Sequence, residues 1–216
     1  MEDGEKMSKE TVKSTEKLRP ENIARVFEKN TVQINGTVAT ILACCSVAVI
    51  AIAALSLVGF FEFGRDYTYF VLITGLMISL LPKLLNRFFQ PDFMKYYMFI
   101  SAAIFIGVMG ANKNIGIYIT YILIPLLSCL YLDFVFVLKI AAVSYVAMIV
   151  SLYINSAVRP EVLFQGYSRM HIFMAYAAGF TVEYAIVTAV LCCLVKRCNH
   201  LMLECINAKH ELVSTD

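Results

Sequence analysis

Six apolar stretches, at roughly 37–60, 68–89, 95–111, 115–132, 134–156 and 171–196, constrain this chain more than any other feature. An uncharged apolar run of about 18 residues or more has the length of a helix crossing a bilayer core. Within lipid every backbone N–H and C=O must find a partner inside the protein, so separated runs of this length form helices. With 60% apolar residues, 16% charged residues and a mean hydropathy of +0.73, the chain carries more apolar surface than a soluble domain of 216 residues needs. The connections are short: FEFGRDY, QPDFMK, ANKN, a single turn at Asp133, and NSAVRPEVLFQGYSR. These features predict an all-α integral membrane protein, a six-transmembrane-helix bundle with no room for a separate external binding domain. Any ligand must be met within the bilayer or at its surface.

The ends differ from the middle. Residues 1–19 are charged and lack an apolar period, which predicts a disordered arm. The first apolar run begins only near Val38, which excludes a cleaved signal peptide. In residues 20–36, Pro20 suits a helix start, and Ile23, Val26 and Phe27 form an apolar stripe beside Arg25 and Lys29. That segment reads as an amphipathic interfacial helix or as a solvated lead-in to the first span. With the N-terminus inside, fourteen Lys and Arg fall on the cytoplasmic side. Only Arg65, Lys113, Arg159 and Arg169 fall outside. The positive-inside rule therefore predicts a multi-pass protein of the cell (plasma) membrane with both termini cytoplasmic.

Glu183 is the polar residue that most needs a reason. It lies about 18 Å along the last apolar helix from His171, at 1.5 Å per residue. A carboxylate at that depth costs about 3 kcal/mol on insertion scales and is expected to face the bundle interior. Tyr176 and Gly179 share its face, and the glycine would admit another helix. Glu183 can serve as a ligand contact or protonation switch, or as a packing group bonded to a neighbouring helix. Tyr118, Tyr121, Ser128, Ser144 and Tyr145 could converge with it, or each could make an interhelical hydrogen bond. Pro125 lacks an N–H and so frees a backbone carbonyl in the fourth span. The candidate ligand or switch residues are thus Glu183, Tyr176, Tyr121, Ser144 and Tyr145.

Several chemistries are excluded. The seven cysteines, at 44, 45, 129, 192, 193, 198 and 205, lie in apolar segments or in the tail, which reads as apolar packing rather than a disulfide framework. His171, His200 and His210 are spread over both sides of the membrane, so no metal set can be assembled from them. No phosphate-binding glycine loop, nucleophile elbow or other catalytic constellation is visible, and no cofactor is expected in this chain. A net charge of +2 gives no reason to expect nucleic acid. EVLFQG at 161–166 resembles the recognition core of a picornaviral 3C protease, with Tyr167 where proline usually follows. It reads as a coincidence or as an engineered insertion, and it gives no indication of function.

The tail gives the chain its direction. Leu194, Cys198, Leu201, Cys205, Ala208 and Leu212 recur at spacings of 4, 3, 4, 3 and 4, the a/d pattern of a two-stranded coiled coil. The final KHELVSTD resembles the segment that opens bacterial GGDEF domains, the diguanylate cyclases, where a signalling helix ends in a pattern of the type L-A-x-T-D. Leu212 to Asp216 match that pattern. The match covers about eight residues, and the six spans and heptad linker are similar to the N-terminal sensor regions of such proteins. The resemblance implies a membrane sensor domain over 37–196 and a coiled-coil linker over 197–216. It also implies a cyclic di-GMP-forming domain beyond Asp216, with no catalytic residue in this chain. AKHELVST also resembles the stretch before a histidine kinase phosphoacceptor, although Asp216 departs from that pattern. Substrate-binding subunits of energy-coupling-factor vitamin transporters share the span count but have little use for a heptad tail. The expected partners are the lipid bilayer, a second copy of the chain as a homodimer, and a small hydrophobic or amphipathic ligand.

Overall fold

The computed structural model describes residues 20–60, 64–112, 119–158 and 167–215, and all regular structure among them is helical. The predicted disordered arm at 1–19 and the EVLFQG segment lie outside the described residues. Helix α1 (Pro20–Leu57) opens on proline, whose fixed φ suits the first helical position. Residues 20–36 are helical as expected, but they run without a break into the apolar segment instead of forming a separate element. The helix stops at Gly59, which takes φ +86°. The N–H of Phe60 reaches the carbonyl of Leu55 and that of Gly59 the carbonyl of Ser56, a Schellman end that favours glycine at this position.

Helix α2 (Arg65–Leu85) carries Pro82 in its last turn, and α3 (Pro91–Gly110) begins on Pro91. Helix α4 (Thr120–Ser128) tightens into a 3-10 turn at Cys129–Tyr131. Leu132 then adopts φ 53°, a left-handed conformation that costs an ordinary residue about 1 kcal/mol. Asp133 caps α5 (Phe134–Val158) by accepting the Phe136 N–H at 3.0 Å, so the expected bare turn is a built helix start. Helix α6 (Arg169–Thr215) is one unbroken rod of 47 residues.

Among the described residues five helices are long and apolar enough to cross a membrane: Lys29–Leu57 within α1, α2, α3, Phe134–Ala157 within α5 and Arg169–Ile206 within α6. The expected fourth span is represented by the apolar stretch Thr120–Tyr131, about 18 Å of helix against a hydrocarbon core of about 30 Å. Its first residues, 115–118, lie outside the described residues.

The core forms where α3, α4 and α5 meet, with α1 and α6 packed against its sides and α2 against α1 and α3. Met94, Met98, Phe99, Ile124, Phe136 and Ile140 are buried there. Phe136 meets Phe99, Tyr131 and Tyr96 edge-on at centroid distances of 5.1–5.4 Å. Helix α6 presents Ile172, Ala177, Tyr184, Leu191 and Val195 to the bundle and leaves Val182, Ile186, Val190 and Leu194 exposed.

Candidate functional site

The expected polar cluster separates into interhelical ties and one uncovered carboxyl. Because Pro125 has no N–H, the Tyr121 carbonyl one turn earlier lacks its helical donor. Ser144 of α5 supplies it, donating from Oγ to the Tyr121 oxygen at 2.7 Å with both residues buried. The Tyr121 hydroxyl in turn donates to Ser151 Oγ at 2.7 Å. A Cβ on Gly110 would overlap that hydroxyl and crowd Ser151, so the end of α3 needs glycine there. Tyr145 shares a 3.0 Å hydrogen bond with Thr181 of α6, and Tyr184 donates to the Ala141 carbonyl at 2.9 Å. Tyr121, Ser144 and Tyr145 thus tie α3 to α6 together and do not line a pocket with Glu183. Tyr176 lies half-buried, stacked on Phe180 at 6.2 Å. Tyr118 lies outside the described residues.

Glu183 corrects the expectation of an inward carboxylate. It is exposed on the shoulder of α6, bordering a groove of about 220 Å³ lined with Ile119, Ile122, Met148, Phe180 and Tyr184. The reason is rotational. Tyr184 takes the inward position next along the helix, and adjacent residues point about 100° apart. Gly179 likewise has no atom of the described residues within 4 Å of where a Cβ would stand, so no described helix of the same chain uses the gap.

The tail residues Leu194, Cys198, Leu201, Cys205 and Ala208 are all exposed, leaving the heptad face open. Leu212 is helical, and its side chain is outside the described part.

Sequence reasoning missed a second cluster, at the bundle end that holds the start of α3 and of α5. Asn35 of α1 is fully buried. It donates to the Pro91 carbonyl at 2.8 Å and accepts the Tyr131 hydroxyl at 2.5 Å. Lys95, only 7% exposed, pairs with Asp133 at 3.0 Å and places its ammonium 4.0 Å from the Phe136 ring centre. Burial raises the Asp133 carboxyl, but the Phe136 N–H, the Lys95 ammonium and the Val135 N–H outweigh it and hold it below its ordinary value. Beside this pair lies a cavity of about 640 Å³ lined by Thr31, Asp92, Lys95, Asp133, Phe134 and Asn199 among others. The side-chain oxygen of Asn199, on α6 just past the apolar run, is buried there and meets no donor among the described residues. The signal for this cluster was a lysine and an aspartate 38 residues apart, which only the turn after α4 brings together.

Among the described residues no three His, Cys, Asp or Glu side chains gather as a metal site would require. No family model, curated protein or solved structure matches the chain.

Proposed function

We propose that the chain is a membrane-embedded sensory and regulatory domain with six spans and both termini cytoplasmic. It passes a ligand or membrane signal through α6 to a cytoplasmic effector. The observation that carries this reading is α6 itself, one helix from Arg169 to Thr215 whose first half packs on the bundle and whose second half exposes a heptad face. A rigid rod of this kind moves at its far end when it shifts or rotates at its near end. Two such rods wound as a parallel coiled coil set how two effector domains face each other. The resemblance of KHELVSTD to the segment before GGDEF domains favours a diguanylate cyclase as that effector, in the plasma membrane of a bacterium. A signal acts on such a device through its different affinity for the two arrangements of the helix.

The native cysteines provide the test. Cys198 and Cys205 lie on the seam, whereas Cys192 is half-buried toward α5. Mild oxidation in membranes should join two chains at Cys198 or Cys205, and replacing both by alanine should abolish the joined species. A chain that stays monomeric under oxidation, or cross-links equally without those two cysteines, refutes the dimeric relay.

A further inference from the structure

Tyr176, Leu194 and Leu212 stand eighteen residues apart, five turns of a 3.6-residue helix, and so fall on one line along α6. Between the first two, Tyr176, Phe180, Glu183, Val187, Val190 and Leu194 recur at spacings of 4, 3, 4, 3 and 4, the alternation that the tail repeats from Leu194 onward. The two segments join at Leu194 through two successive steps of four, so that Val187 to Cys198 is an eleven-residue interval, whose drift on a straight helix is opposite to that of a heptad and offsets it. The seam of the tail therefore continues up through the apolar half of α6, and Glu183 sits on it.

Glu183, Val190 and Leu194 are exposed along this line, and the last two are each 53% exposed. Ile119, just before α4 and across the groove, is 84% exposed. A carboxyl facing lipid must be covered by something able to hydrogen-bond it. Among the described residues the groove around it, formed by Ile119, Ile122, Met148, Phe180 and Tyr184, brings no charged side chain, and the Tyr184 hydroxyl donates to Ala141.

We propose that a second copy of the chain covers this face, its α6 parallel to the first along the Tyr176–Leu194 line, so that Glu183 and the partner's Glu183 meet at the two-fold axis. This rests on the dimeric relay above and names the contact that would run through the bilayer. In such a pair one carboxyl donates its proton to an oxygen of the other, which gives each a polar partner in an apolar setting. Replacing either carboxyl by an apolar side chain leaves the other without that partner, so association depends on the pair.

The experiment uses the full chain in liposomes with all seven cysteines replaced by alanine, restoring or adding one cysteine at a time. Joining through Cys198 reports the tail dimer. Val187→Cys and Val190→Cys should join as readily as Cys198 does, while Val182→Cys and Ala189→Cys, on other faces of α6, should join at least tenfold more slowly. Tail joining without preference for positions 187 and 190 overturns the membrane seam and leaves the relay standing. No joining at either place overturns both. Energy transfer between labelled copies gives the second readout. Glu183→Leu should weaken association by about tenfold, whereas Glu183→Gln, whose amide can donate and accept across the axis, should not; equal association of Glu183→Leu and the native chain refutes the carboxyl pair.

Discussion

At the residue scale the core is decided by single orphaned groups and the side chains that answer them. Pro125 strips the Tyr121 carbonyl of its donor, and Ser144 restores it from another helix. Ser144→Ala should therefore cost about 1–3 kcal/mol of stability. The same change in a Pro125→Ala background should cost markedly less, because the N–H at position 125 then serves the Tyr121 carbonyl. A double-mutant cycle by thermal unfolding in detergent checks this, and equal costs in the two backgrounds would refute the pairing. Gly110→Ala should cost about 1–3 kcal/mol by overpacking against the Tyr121 hydroxyl, and Gly179→Ala should leave the single chain's stability unchanged. Pro125 and its freed carbonyl could be read from the sequence. That Ser144 answers it could not, since nothing local relates residues 23 apart.

At the element scale the hydropathy pattern located every described helix, because lipid allows an apolar segment of this length little else. Its bounds were less legible. The fourth segment shortens to Thr120–Tyr131 because the left-handed Leu132 and the cap at Asp133 end it abruptly. Helix α1 swallows the segment read as an interfacial helix, since no glycine or proline between Glu21 and Gln33 interrupts the turns. In α6 continuity was expected from the heptads, and the rod is continuous. On the proposed reading, truncation after Lys196 should abolish dimerisation in detergent, and Leu201→Asp should weaken it by about tenfold. Analytical ultracentrifugation measures both, and an unchanged monomer–dimer balance in the truncated chain would remove the tail from the mechanism.

At the scale of the whole molecule, one end of the bundle is closed by polar ties among distant segments. Lys95 and Asp133, Asn35 and Tyr131 join α1, α3 and the turn before α5 there. The Asp133 carboxyl titrates below its ordinary value when folded, so its stabilising contribution is present at neutral pH and fades as pH falls through that lowered value. The melting temperature of the native chain should thus drop on acidification below about pH 4. Asp133→Asn should melt lower at neutral pH and lose that part of the acid dependence; an identical acid profile would refute the role of the pair. Topology belongs to this scale too. A membrane-impermeant maleimide should label Cys198 and Cys205 in inside-out vesicles and leave them unlabelled in intact cells, and the opposite pattern would invert the proposed orientation.

The sequence by itself determined that this chain is helical and apolar, where its helices run, and that its last one continues into a tail with a heptad pattern. Those properties follow from local composition and periodicity, which each segment carries alone. Only the tertiary structure decided which way the polar side chains turn. It moved Tyr121, Ser144 and Tyr145 into interhelical ties, turned Glu183 outward and built the Lys95–Asp133 pair. The physical reason is that a rotation of one residue's width, about 100°, separates the inside of a helix from its shoulder. Packing against neighbours sets that rotation, and no segment encodes its neighbours.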